Sequence, residues 1–353
     1  MADVHEGLEG VVVTRTALSS VDGAAGRLVI AGLDVETLAQ GTFEEAVARI
    51  FRAAGLPADD IAGRVARGRA RAFELAPRLA PALACEEPMV ALRAAIDLFP
   101  QDLASDAAHV VGALGWVAAA HARGAPAAPS ESGHARDLLR VMGRDDEARA
   151  RGLDAYLVTV MDHGMNASTF AARVVASTAS DVLSSVAAAL AALKGPLHGG
   201  APGPVLDMLD AIGAPENAQR WIEGELAEKR RIMGMGHRVY RVRDPRAAVL
   251  EAACAKLEAE GIASARLPLA RAVEKVARSV LAARHPDRSL DTNVEFYTAV
   301  LLDTVGVPRT HFSAMFAAGR VAGWLAHVAE QRAKGRLIRP ESEYVGAMPD
   351  ETT

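Results

Sequence analysis

Three histidines stand where glycine lets backbone crowd a ligand. His163 lies in Asp162-His-Gly-Met-Asn-Ala-Ser-Thr169, His198 in Lys194-Gly-Pro-Leu-His198-Gly-Gly200, and His237 in Met233-Gly-Met-Gly-His237-Arg-Val-Tyr240. A glycine neighbour removes side-chain bulk and allows close backbone approach. An imidazole in such a place donates a hydrogen bond or moves a proton; the plainer alternative for each is a loop histidine at a helix end. None has the spacing of a helical metal pair, so no metal site is expected.

Arg246 falls in the first turn of a helix opened by Asp244-Pro245, where free N–H groups and the helix dipole already favour an anion. Its guanidinium suits a carboxylate in a two-pronged pair, or else it is an ordinary surface arginine. Arg320 has small neighbours, Ala317, Ala318, Gly319, Ala322 and Gly323, which imply tight packing. A buried cation needs an anion, either a structural carboxylate or a substrate. Glu295 closes Thr292-Asn-Val-Glu295, a capping-box pattern. The pattern by itself favours a cap over catalysis.

The elements that must position these groups are nearly all helices. Alanine is abundant and aromatic residues make up 4% of a chain of 353, a mix that suits close-packed helices. Hydrophobic spacing and cap signals predict helices over Phe43–Ala54, Pro88–Phe99, Gln101–Arg123, Ser180–Leu193 and Asp244 to Gly261. Three more follow, marked by Leu269 to Val280, by Val294 to Leu301, and by Phe312 through Lys334. The turn-rich Asp22–Gly26 lies between the β-like runs Val11–Thr16 and Arg27–Ala31, which reads as a small N-terminal hairpin. The stretch 124–133, with Pro126 and Pro129, reads as an exposed loop.

A formal net charge of −5 gives no sign of nucleic-acid binding. No uncharged apolar run approaches the roughly 18 residues that a membrane helix needs. The first residues, acidic and polar, resemble neither a secretory nor a transit peptide, and the two distant cysteines, Cys85 and Cys254, suit a reducing compartment. A cytoplasmic protein is the expectation.

Taken together, DHGMNASTF, LKGPLHGGA, MGMGHRVYRVRDPRA, NVEFY, FAAGRVAGWLAH and LIRPESEYVG, in that order, resemble the citrate synthase family, in its short bacterial and archaeal form. The resemblance spans nearly the whole chain and is weakest over about 57–150. It implies an all-α, two-domain fold with a small N-terminal β-hairpin, working as a homodimer. The large domain would comprise 1–202 and 307–353, and 203–306 would be the small domain that closes over the substrates. By the same resemblance His198 meets the thioester oxygen of acetyl-CoA, His237 polarises the oxaloacetate ketone, and Glu295 falls at the catalytic base. His163, Arg246 and Arg320 match residues that hold the oxaloacetate carboxylates, and Arg339 matches an arginine supplied by the neighbouring subunit. Met233, Gly234, Gly236 and Arg241 fall where CoA would bind. The implied product is citrate, or 2-methylcitrate from propionyl-CoA; CoA is a substrate and no cofactor is implied. A weakly catalytic, acyl-CoA-binding paralogue is the reading from another class.

Three departures from the family pattern stand out. Glu295 replaces the usual aspartate, the family's HGGAN becomes His198-Gly-Gly-Ala-Pro202, and its H-P-M-x-x-L-R becomes Glu87-Pro-Met-Val-Ala-Leu-Arg93.

Overall fold

The computed structural model describes residues 4–198, 202–262, 264 and 266–348; Gly199, Gly200 and Ala201 of the altered HGGAP segment lie outside them. A three-stranded antiparallel sheet comes first: β1 (Ser19–Asp22), β2 (Arg27–Ile30) and β3 (Leu33–Asp34). Sixteen helices follow among the described residues. The first eight are α1 (Val35–Leu38), α2 (Phe43–Ala54), α3 (Ile61–Glu74), α4 (Ala76–Leu83), α5 (Pro88–Leu98), α6 (Ala107–Arg123), α7 (His134–Val141) and α8 (Glu147–Val160). The remainder are α9 (Ala167–Ser177), α10 (Val182–Leu193), α11 (Pro202–Ile212), α12 (Ala218–Ala227), α13 (Pro245–Ala259), α14 (Leu267–Arg284), α15 (Val294–Val305) and α16 (Phe312–Lys334).

The hairpin is real but its first strand is displaced from Val11–Thr16. The Asp22 carboxylate accepts from the N–H groups of Ala24 and Ala25, making a tight turn that pairs Asp22 with Arg27 and Ser19 with Ile30. A turn that short lets only the residues abutting it join the ladder. Residues 11–16 instead run outside the sheet, with Val12 85% exposed. The start of α6 also differs from expectation. Asp106 caps Ala108 N–H and pairs with Arg64, so the helix begins at Ala107, and a separate 3-10 turn occupies Leu103–Ser105.

Cap signals that were legible behave as read. Asp181 caps α10, and Asp244 caps α13 with Pro245 as its first helical residue. The α15 cap is Asn293, whose side chain accepts from Glu295 N–H. Thr292 is not the cap, and no hydrogen bond returns from the Glu295 carboxylate, so the capping-box reading fails.

α16 is the central helix, buried on nearly every side and packed by α2, α6, α8, α9 and α10. Its small residues set the spacing. A Cβ on Gly319 would stand 2.7 Å from Val160 Cγ2 and 3.0 Å from the Leu157 carbonyl oxygen, and one on Gly323 would overlap the Met161 carbonyl. Backbone thus meets backbone where α16 crosses α8 and the loop carrying His163. A chain of buried polar groups fixes that crossing. His327 Nε2 donates to Asp162 (3.1 Å), Arg173 donates to His327 Nδ1 (2.9 Å), and Arg173 pairs with Glu330 (2.8 Å). Glu330 accepts from Ala17 N–H and Asp162 from the Ser19 hydroxyl, which ties the hairpin to the same knot.

Because the Met161 carbonyl cannot retreat without breaking this knot, Gly323→Ala should lower stability by about 1–3 kcal/mol. A calorimetric melting temperature equal to wild type would show that α16 has slack here.

Candidate active site

The candidate residues other than Arg339 are carried by two loops, the first turns of α13 and α15, the segment after α10 and the middle of α16. His163 follows α8 on the loop held by Asp162, whose carboxylate also accepts from Gly164 N–H. Burial pushes Asp162 up, but the proton-donating contacts from His327 and Ser19 outweigh it and hold the acid below its usual range. Tyr240, fully enclosed, places its hydroxyl 3.1 Å from His163 Nε2. The rings of His163, His237 and Tyr240 pack edge-on or tilted, with centroids 4.8–5.6 Å apart.

The 233–237 loop is fastened to the start of α15. Gly236 N–H donates to Asp291 O, Asn293 N–H to Gly234 O, and Asn293 Nδ2 to Gly236 O. Gly234 needs to be glycine: its φ is +75° and a Cβ would lie 2.8 Å from Phe296. This clamp fixes His237 relative to Glu295.

Each histidine is held neutral. His237 Nδ1 accepts from the N–H groups of Val239 (2.9 Å) and Tyr240 (3.1 Å), which leaves the ring proton on Nε2. Burial first, and then the Arg246 charge, lowers its pKa to about 4. His198 takes Ser168 N–H at the N-terminus of α9 onto Nε2 (3.3 Å), with Ser168 Oγ at 2.8 Å, an arrangement that assigns the proton to Nδ1. Burial and then Arg320 lower His198 to about 4. Burial and the charges of Arg246 and Arg320 take His163 well below its ordinary value.

The two arginines differ. Arg246, 3% exposed, makes the two-pronged pair expected of it, but with Asp244: Nε at 3.0 Å and Nη2 at 2.7 Å. Its Nη2 also stands 3.4 Å from His237 Nε2, and Nη1 has no partner among the described residues. Arg320, 1% exposed, donates Nε to the Val160 carbonyl and lies over the Phe316 ring, with no carboxylate bonded to it. Burial lowers Arg320 to about 10, although the nearby Asp162 charge opposes the drop. Such a cation is short of an anion. Glu295 is the complementary case. Its carboxylate has no hydrogen bond among the described residues, and burial pushes it up to about 7 against the pull of Arg246.

Beside His237 opens a cavity of about 640 Å³. Gly236 and His237 line it, with the cations Arg230, Arg231, Arg284 and Arg288. Met233, Gly234 and Arg241 are not among its lining residues; Arg241 N–H donates to Gly23 O, and its carbonyl accepts from Ser289. Arg339 is exposed on the segment after α16, which makes only sparse contact with the body through Ile338 N–H to Ser177. The described residues hold no group of three metal-ligating side chains.

Sequence reasoning missed Tyr240, Ser168 and the five cavity arginines, Arg238 among them, as site residues. Tyr240 and Ser168 stand inside the quoted motifs, so only their partners were hidden. The arginines come from two separated segments, and no spacing rule joins them.

Neutral histidines, a buried carboxylate without a hydrogen bond and two buried guanidiniums make a set of groups suited to proton transfer and to receiving an anion. The family description "Citrate synthase, C-terminal domain" matches residues 7–341. The chain is 40% identical to "Putative citrate synthase 2" of Mycobacterium tuberculosis, over 97% of this chain and 93% of that protein. It is 33% identical to "Citrate synthase 2" of Bacillus subtilis, covering 96% and 95%. Among solved structures, citrate synthase from Thermotoga maritima superposes with a TM-score of 0.83 at 35% identity, covering 99% and 98%. A Thermoplasma acidophilum citrate synthase, solved as a ternary complex with carboxymethyl coenzyme A and oxaloacetate, gives 0.84 at 28%, covering 100% and 99%. The chain belongs to the citrate synthase family, and is an enzyme of the acyl-transferring, carbon–carbon-condensing class.

Nitrogen-15 NMR of histidine-labelled protein checks the electrostatics directly. His237 should show the Nε2–H tautomer, and all three histidines should stay uncharged from pH 6 to 8. An imidazolium signal from His198 or His237 at pH 6 would contradict the site as described.

Proposed function

We propose that this enzyme condenses acetyl-CoA with oxaloacetate and water to give citrate and CoA. The observation that carries the reading is the Glu295 carboxylate, unbonded and held near pKa 7 among neutral histidines and paired or anion-seeking arginines. A thioester methyl is a weak acid, so its deprotonation needs a base on one side and a donor at the developing enolate oxygen on the other. Glu295 is the base and His198 Nδ1–H the donor. His237 Nε2–H polarises the ketone and delivers its proton to the new alkoxide as the enolate carbon attacks. Arg246 Nη1, Arg320 and His163 hold the carboxylates. Water then cleaves the citryl thioester.

CoA lies along the cavity beside His237, where Arg230, Arg231, Arg284 and Arg288 answer its phosphates, with the 233–237 loop and Arg241 at the edge. The enzyme needs no cofactor in this reading. Residues 203–306 form the part that closes over the substrates, against a body made of 1–202 and 307–353. Both cysteines are free thiols, Cys254 buried and Cys85 half-buried, in keeping with a cytoplasmic enzyme. No helix among the described residues is long and apolar enough to cross a membrane. Arg339 completes the site from a partner subunit, which makes the working unit a homodimer. The exposed Leu337, Tyr344 and Val345 on the same tail are surface that a second copy would cover.

A thiol-release assay with acetyl-CoA and oxaloacetate tests the reading, and propionyl-CoA in parallel separates citrate from 2-methylcitrate synthesis. Glu295→Gln should lower kcat by about 10²- to 10⁴-fold while oxaloacetate binding persists. Because only ionised Glu295 accepts a proton, kcat/KM should rise with pH through a limb near 7 and then level. Unchanged turnover in Glu295→Gln would move the base elsewhere and end the mechanism.

Assembly has its own test. Arg339→Ala and Glu295→Gln should each be inactive alone. Mixed by unfolding and refolding together, they should recover about a quarter of wild-type activity, since half the dimers then carry one intact site. No recovery would show that Arg339 does not act across a subunit boundary.

A further inference from the structure

Tyr156 takes no part in the mechanism above, yet its surroundings are those of the site. It lies on α8, one turn before Val160, whose carbonyl receives Arg320. One turn earlier, Gly152 packs against the C-terminal end of α15: a Cβ there would stand 3.0 Å from Val305 Cγ1, on the helix that carries Glu295 in its first turn. Tyr156 therefore occupies the stretch of α8 between the contact with the C-terminal end of α15 and the contact with Arg320. The residue is 0% exposed, and its hydroxyl has no hydrogen-bond partner among the described residues. The two charges that act on it, Arg320 and Glu295, both belong to the site; burial, the larger influence, raises the phenol's pKa further. The phenol therefore keeps its proton at every working pH.

A buried donor without an acceptor is costly, and so is a carboxylate without a donor. Resting on the citrate synthase reading, we propose that Tyr156 is a positioning residue for the base: its hydroxyl donates a hydrogen bond to the Glu295 carboxylate when the site closes, and so holds that side chain in its extended reach toward the thioester methyl. Glutamate reaches one methylene further than aspartate, and the phenol is the group that fixes where the extra length goes. The hydrogen bond stabilises the ionised base, so it also brings more of the enzyme into its active protonation state at neutral pH.

The test pairs Tyr156→Phe with Glu295→Asp in a double-mutant cycle. Tyr156→Phe should lower kcat by about 10- to 100-fold, the usual weight of a hydrogen bond to a charged group. The acid limb of kcat/KM should move up by about one pH unit. In the Glu295→Asp background the carboxylate is withdrawn, and removing the hydroxyl should cost less than about twofold. Carbon-13 titration of Glu295 in labelled protein with bound oxaloacetate should show the same upward shift, whether or not the enzyme turns over. Thermal melting of unliganded Tyr156→Phe should match or exceed wild type, since only an unpaired oxygen is lost.

Equal losses in both backgrounds, an unmoved Glu295 titration, or a raised KM for the 2-oxo acid with the acid limb in place would overturn the proposal. A wild type that releases no thiol, combined with a Glu295 titration that moves in Tyr156→Phe, would leave the tyrosine's role standing and remove the citrate synthase reaction.

Discussion

The site is organised around one buried carboxylate. Asp244, 0% exposed, caps α13 through Arg246 N–H, takes both prongs of the Arg246 guanidinium, and accepts Val294 N–H at the start of α15. Its own N–H donates to the Thr292 carbonyl. Two helix N-termini and a guanidinium thus share one anion, and each would be a costly buried positive end without it. From that point the other groups follow. Arg246 is aimed past Asp244 at His237, α15 is set so that Glu295 enters the site from its first turn, and the 233–237 loop is stitched to the same turn.

The electrostatic pattern that results has an internal logic. Arg246 and Arg320 make a cationic interior that would repel a charged imidazole, so the three histidines are neutral by circumstance as well as by burial. A neutral imidazole can present one N–H and one lone pair, and backbone amides occupy the lone pair of His237. The donor face is left for a substrate. The same field opposes the rise that burial imposes on Glu295, and the balance leaves the acid near neutrality, where a base is effective. Arg246 is balanced by Asp244, whereas Arg320 has no carboxylate in hydrogen-bond contact. The pocket therefore has one end already compensated and one end that attracts an anion.

How much of this was legible depended on range. Asp244-Pro245 and Asp181 announced their helices because a cap acts over two or three residues. The tight packing inferred from the small residues around Arg320 was correct for the same reason: Gly319 and Gly323 sit against α8 and the His163 loop. The hairpin failed by one strand because propensity marked Val11–Thr16, while turn length decided what could pair. The helices α3, α4, α7, α8, α9, α11 and α12 went unread. In α3, α7 and α8 the arginine- and alanine-rich faces give little periodic contrast, and buried arginines such as Arg69, paired with Asp137, look like surface residues in a sequence. The capping-box pattern at Glu295 misled for an instructive reason. Its spacing from Thr292 suits a cap, but Asn293 reaches the N–H first and releases the carboxylate. Tyr156 gave no signal, since an apolar-looking stripe position says nothing about where its oxygen ends.

The stitching of the 233–237 loop to α15 has a mechanical side. Three hydrogen bonds join Gly234 and Gly236 to Asp291 and Asn293, so His237 and Glu295 are carried on one hydrogen-bonded unit. Movement of this unit as a whole would carry both side chains together. Error in the gap between them, the one dimension to which proton transfer is most sensitive, would therefore be insulated from the amplitude of any such motion. In the proposed reaction, a body that opened to exchange CoA would keep its acid and its base in register throughout.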